Sequence, residues 1–150
     1  MNVHTTAAGP RGRRMGSAGM EPAGLMPFYR KMAAKCAPAK VRLEVTRRCN
    51  LNCIHCKVTC GADVENELTP AEIDRIIPQF IEAGAFEVNV TGGEAFARPD
   101  ILEILSVLFS HDIMVHIQTN GTLVKDEHIA LLEKNRERLL KVGLSMYAGD

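Results

Sequence analysis

The chain has 150 residues, 46% of them hydrophobic and 24% charged, and its 18 basic residues balance 18 acidic ones. Zero net charge without a basic stripe excludes a general nucleic-acid or membrane-surface binder, and the length suits one modest domain with a real core. No apolar run is long enough to span a bilayer, and Arg13-Arg14 is followed by Met15-Gly16-Ser17-Ala18-Gly19, not by the apolar stretch of a secretion signal.

Residues 1–24 are rich in Gly, Ala, Arg and Pro and have no apolar period, so a disordered arm is expected there, ahead of a core domain over 25–150. Residues 25–38 carry Leu25, Met26, Phe28, Tyr29 and Met32, which suit a short helix. Cys36 in that stretch reads as a small buried apolar group. The first strand is predicted at 40–46, where Val41, Leu43 and Val45 alternate with polar residues. A long loop follows. Thr69-Pro70-Ala71-Glu72 then offers an N-cap, a proline suited to the first helical turn and the acid of a capping box. Ile73, Ile76, Ile77, Phe80 and Ile81 give that helix one apolar face, Pro78 is expected to kink it or end it early, and Gly84 is a plausible stop.

The second strand is predicted at 86–90 and runs into Thr91-Gly92-Gly93-Glu94; a helix opens at Pro99-Asp100 and carries Ile101, Leu102, Leu105, Leu108 and Phe109. A third strand at 113–118 ends at Thr119-Asn120-Gly121. A third helix is predicted over 125–140 with Ile129, Leu132 and Leu139 inward, and a fourth strand over 141–147 with Val142, Leu144 and Met146 on one face. Strands alternating with amphipathic helices imply an α/β fold with a parallel sheet and right-handed crossovers.

Four of the five cysteines crowd into residues 49–60, which fits metal ligation in a reducing compartment, and hence the cytoplasm, better than a disulfide scaffold. Cys49, Cys53 and Cys56 are spaced C-x3-C-x2-C on the loop after the first strand, where open sheets and barrels place their chemistry. Three thiolates converge naturally on a soft metal centre. Spacing alone leaves two readings level: an open three-cysteine iron-sulfur cluster, or a closed zinc or iron-sulfur site completed by Cys60. Gly92-Gly93 at a strand end would let backbone approach a ligand closely, and Glu94 supplies a carboxylate suited to an ammonium group; a plain turn with a solvated acid is the simpler reading of those three alone. Asn120-Gly121 reads as a turn, and Ser145 carries little signal. His55 sits within the cysteine loop, as a ligand or packed beside a cluster, while His111, His116 and His128 read as surface or core histidines. No G-x-G-x-x-G follows any strand, which disfavours a Rossmann nucleotide binder.

In combination these motifs resemble the radical S-adenosylmethionine (radical SAM) superfamily: the cysteine triplet after the first strand, Gly92-Gly93-Glu94 after the second, Thr119-Asn120-Gly121 after the third and Leu144-Ser145-Met146-Tyr147 on the fourth. The wording Cys-Asn-Leu-Asn-Cys-Ile-His-Cys and Thr-Gly-Gly-Glu-Ala-Phe-Ala-Arg-Pro-Asp is similar to the branch that modifies peptides or matures cofactors. The resemblance covers about residues 40–148. It implies a [4Fe-4S] cluster on Cys49, Cys53 and Cys56 with its fourth iron holding the amine and carboxylate of S-adenosylmethionine. It implies Glu94 and the Gly92-Gly93 backbone at the amino group, and Asn120 and Ser145 near the carboxylate or ribose. The implied reaction is reductive cleavage to a 5′-deoxyadenosyl radical that takes hydrogen from a peptide or small-molecule substrate, fed by a low-potential donor such as flavodoxin or ferredoxin. Ala95 stands where the family often has proline. The implied fold is a TIM-like partial (β/α)6 barrel, and at roughly 30 residues per β/α unit the four strands and three helices here leave about two units missing, so a truncated barrel is expected.

Overall fold

A computed structural model of the chain describes residues 38–56 and 66–146, together with Pro27, Arg30 and Ala34, which are helical as expected over 25–38. The expected arm at 1–24, Cys36 and Cys60 lie outside the described residues. Four strands, β1 (Lys40–Thr46), β2 (Glu87–Gly92), β3 (Met114–Thr119) and β4 (Leu139–Leu144), alternate with three helices, α1 (Pro70–Glu82), α2 (Ile101–Ser110) and α3 (Asp126–Lys134). All pairs are parallel, in the order β1-β2-β3-β4. Consecutive parallel neighbours need crossovers of one hand, which carry every helix over the same face of the sheet.

That face is the core. Leu43, Val45, Val88, Val90, Val115 and Ile117 from the strands meet Ile73, Ile77, Ile104, Leu105, Leu108 and Leu132 from the helices. Because strand side chains alternate, the opposite face carries Lys40, Arg42 and Glu44 of β1, Glu87, Asn89 and Thr91 of β2, His116 and Gln118 of β3 and Lys141 of β4. One face is hydrocarbon against helices; the other is polar, with Glu87, Asn89, Thr91 and His116 buried on it.

The capping box forms as expected: the Glu72 N–H donates to Thr69 Oγ1 (3.3 Å) and the Thr69 N–H to Glu72 Oε2 (2.8 Å). The Thr69 donors hold the Glu72 carboxyl below its usual 4.5. Pro78 does not end α1, which continues to Glu82. Its missing amide falls on the exposed side of the helix, while Ile73 and Ile77 are fully buried on the other side. Core packing thus outweighs a local defect of about 3 kcal/mol.

The third helix is shorter than expected and ends at Lys134. Asn135 stops it: its side-chain amide donates to the Leu131 carbonyl (2.8 Å), its backbone N–H is shared between Leu131 and Leu132, and Arg138 N closes a turn onto Asn135 O (3.0 Å). The fourth strand therefore begins at Leu139, which belongs to the sheet and not to the helix. Ile129 is 45% exposed, and His128 takes the inward position. The His128 ring lies 4.7 Å from that of Phe96, and its Nδ1 accepts from the Lys125 N–H (3.0 Å) across the first turn of α3.

Candidate functional site

The C-terminal ends of β1, β2 and β3 and the residue after β4 surround one cavity of about 320 Å³. Cys49, Cys53 and Cys56 line it from the loop after β1, Thr91, Gly92 and Gly93 from β2, Thr119 and Asn120 from β3, and Ser145 beyond β4. Cys49 and Ser145, 96 positions apart in sequence, thus line one cavity, because parallel strands deliver all their C-terminal ends to one edge.

The cysteine loop is sutured to β2 by backbone. Gly93 N–H donates to Thr46 O and Glu94 N–H to Arg48 O, each at 2.8 Å. Those contacts require glycine. A Cβ on Gly92 would stand 2.1 Å from Thr46 O, and one on Gly93 2.4 Å from Arg48 O. Gly92 also adopts φ +151°, which side chains disfavour.

Glu94 is the knot behind the cavity wall. It is 1% exposed and does not itself line the cavity. Its Oε1 accepts from Thr119 Oγ1 (2.6 Å) and from Phe96 N–H (3.0 Å), and its Oε2 from Asn120 N–H (2.6 Å). The simple reading of Glu94 as a solvated acid after a turn therefore fails. A buried carboxylate survives because three donors converge on it. Asn120 continues the network outward: its Nδ2 donates to Asn50 Oδ1 (3.0 Å), and its Oδ1 accepts from Thr122 N–H (2.9 Å) and Thr122 Oγ1 (2.7 Å). Asn50 Nδ2 returns to Thr122 Oγ1 (2.7 Å). The residue after Cys49 is thereby tied to the turn after β3. Sequence reasoning passed over Asn50 and Thr122; an amide directly beside a ligand-type cysteine was the available signal.

The donor set suits an iron-sulfur cluster. Cys49 and Cys53 are in no disulfide, and Cys49 Sγ accepts the Leu51 N–H (3.4 Å), a contact that stabilises a thiolate. Among the described residues no three His, Cys, Asp or Glu side chains stand close enough to share a single ion. Cysteine thiolates are the ligands such a cluster takes. His55 lines the same cavity.

Away from the cavity lining, His116 and His128 are each 4% exposed. Burial holds His116 below its usual 6.5, helped by Lys141 and Lys40 and opposed by Glu87, whose Oε1 stands 3.3 Å from His116 Nδ1 and 2.5 Å from Lys40 Nζ. Burial also lowers His128, with Glu127 opposing and Lys125 assisting. Both rings are kept neutral by the fold, so their contribution to stability is present above 6.5 and is lost as pH falls from there through the folded-state values. The urea midpoint is expected to drop between pH 7.5 and pH 5.5, by at most about 1.4 kcal/mol per ring per pH unit. Replacing both histidines with asparagine is expected to flatten that slope; an unchanged slope would show that other groups set it.

Among the described residues no helix is long and apolar enough to cross a membrane. The family profile described as the Radical SAM superfamily matches residues 43–150. The chain is 29% identical over 109 residues to the antilisterial bacteriocin subtilosin biosynthesis protein AlbA of Bacillus subtilis, covering 73% of this chain and 24% of that protein. It is 36% identical over 107 residues to a probable GTP 3′,8-cyclase of Pyrococcus horikoshii, covering 71% of this chain and 33% of the cyclase. The chain thus spans a quarter to a third of the length of these curated relatives. The crystal structure of Streptococcus suis SuiB bound to S-adenosylmethionine superimposes with a TM-score of 0.63 at 23% identity, over 92% of this chain and 32% of that one. That likeness establishes the fold: four parallel strands and three helices of the kind found in these enzymes.

Proposed function

The chain belongs to the radical SAM superfamily, and on that premise we propose that it carries the cluster-binding and S-adenosylmethionine-binding part of an enzyme barrel acting on a peptide or small molecule. The observation that carries this reading is the convergence on one cavity of Cys49, Cys53 and Cys56 with Gly92, Gly93, Asn120 and Ser145 from three further strand ends. Cys49, Cys53 and Cys56 would hold three irons of a [4Fe-4S] cluster. When bound, the cluster and S-adenosylmethionine supply one-electron cleavage of a sulfonium C–S bond and hydrogen-atom abstraction from substrate.

The chain's own residues do the positioning. Gly92 and Gly93, bare of side chains, let the ligand's methionyl end lie against backbone. Glu94 stands behind that wall, and its carboxylate fixes Asn120 from there. Asn120 and Ser145 would stand near the carboxylate or ribose, and Leu51 adds an apolar wall beside the cysteines. A peptide substrate is supported by the relative named for subtilosin biosynthesis and by SuiB, which has also been crystallised with its precursor peptide SuiA. The electron donor is taken to be a low-potential protein such as flavodoxin or ferredoxin. A reducing cytoplasm suits closely spaced cysteines and an oxygen-sensitive cluster.

The test is anaerobic reconstitution of the 150-residue chain with iron and sulfide, followed by electron paramagnetic resonance of the reduced protein with and without S-adenosylmethionine. A four-iron signal that changes on adding the ligand supports the reading. One tightly held zinc and no cluster would overturn it in favour of a non-catalytic module built on Cys49, Cys53, Cys56 and Cys60.

A further inference from the structure

The cysteine loop is a long excursion that leaves the sheet at β1 and returns at α1, and an excursion of that length needs its neck closed to hold anything in register. One side chain spans the neck. Arg98 is 4% exposed. Its Nη1 donates to the carbonyl of Val45, just before the loop, and its Nη2 donates to the carbonyl of Leu68, just after it (2.5 Å). The β1–β2 register slips between Glu44 and Thr46, so Val45 has no register partner on β2. Arg98 meets the carbonyl that the slip sets apart. Asp100 grips the same guanidinium from the other side, at 2.6 Å to Nε and 3.1 Å to Nη2. Beside it Thr46 Oγ1 donates to Glu67 Oε1 (2.5 Å), a second bond between the two stems.

We propose that Arg98 is the positioning residue of the cysteine loop: a buried, Asp100-oriented clamp that joins its two stems and so fixes the thiolates in place. The inference rests on the reading of those thiolates as cluster ligands. A planar fork is what the geometry uses, because two carbonyls on separate stems must be met at once by one side chain whose third edge is held by a carboxylate. Lysine keeps the charge but offers a single point, so it cannot serve both stems and Asp100 together.

Amide hydrogen exchange of the 150-residue apo chain, followed by mass spectrometry under anaerobic, reducing conditions, reads the clamp without any cofactor. Arg98→Lys is expected to speed exchange in peptides covering 45–56 and 66–68 about ten-fold, as losing one charge-assisted bond to a buried carbonyl implies, while β3 changes less than about two-fold. After reconstitution, bound iron is expected to fall to less than about half the wild-type value at temperatures where β3 stays protected. Rescue of both readouts by lysine, or exchange that rises equally in β3, would overturn the proposal, because charge or general stability would then suffice. Should Arg98→Lys not fold, Asp100→Asn carries the test, since Asp100 makes no side-chain cap to α2. It is expected to loosen the same two peptides by about three-fold, and exchange identical to wild type would reject the clamp. If wild type itself takes up no cluster, the functional reading fails while the exchange experiment still decides the clamp. If wild type and Arg98→Lys load alike with unchanged exchange, the clamp alone fails.

Discussion

Serine at Cys49, Cys53 or Cys56 is expected to abolish cluster assembly, whereas Cys60→Ala is expected to leave it intact. A serine hydroxyl is a hard, protonated oxygen at neutral pH where a soft thiolate is needed. Removing an outer partner of a metal ligand already costs about 10–100-fold in affinity, so losing the ligand itself must cost more. The fold should tolerate the change. Cys56 is exposed, Cys49 and Cys53 are half-buried, and none belongs to the hydrophobic core; stability of the apo chain is expected to move by no more than about 0.5 kcal/mol. Iron and sulfide bound per chain, with the visible absorption of the reconstituted protein, give the comparison. If Cys60→Ala empties the site as completely as Cys53→Ser, a closed four-cysteine centre replaces the open one, and no iron is left to bind S-adenosylmethionine.

The parts of the fold legible in the sequence are those fixed by short-range chemistry. Alternation over Val41, Leu43 and Val45 placed β1, and the Thr69-Pro70-Glu72 signal placed the start of α1, because a strand's pleat and a helix cap are decided within a few residues. The third helix was misjudged at its end, because Asn135 acts as a stop only through bonds to Leu131 and Leu132 that its identity does not announce. The cavity's ligand-type residues were legible because parallel strands bring their ends together in any such fold. The roles of Glu94 and Arg98 were not. Each is decided by partners 25 to 53 residues away, and a motif shows a side chain's chemistry without showing whether it faces the ligand or holds the wall that does. Asn50 is the same case at longer range, its partners Asn120 and Thr122 lying 70 and 72 residues on.

Gly93→Ala is expected to damage this chain severely through close approach alone, with no backbone strain to confuse the reading. Gly92 and Gly93 look alike in sequence, but they are glycines for different reasons. Gly92 needs its φ of +151° as well as room, while Gly93 has no positive φ and lacks only space, so Gly93→Ala tests close approach alone. The new Cβ would meet Arg48 O at 2.4 Å and Arg47 O at 2.8 Å. Both are main-chain atoms that cannot swing aside. Relief therefore means parting the loop stem from β2, which breaks Gly93 N–H to Thr46 O and Glu94 N–H to Arg48 O. Two such bonds at about 1 kcal/mol each, with the residual strain, put the destabilisation at about 2–4 kcal/mol, read from the urea midpoint. Cys49 follows Arg48 directly, so the displacement passes into the first cluster ligand, and iron uptake should fall even in protein that remains folded. Gly143→Ala is the control: its Cβ would lie 3.3 Å from the His116 Nε2 and is otherwise in ordinary contact, so a loss within about 1 kcal/mol and normal iron uptake are expected. If Gly93→Ala loads and melts as wild type does, the seam between loop and strand is slack, and the cavity does not owe its shape to the glycine pair.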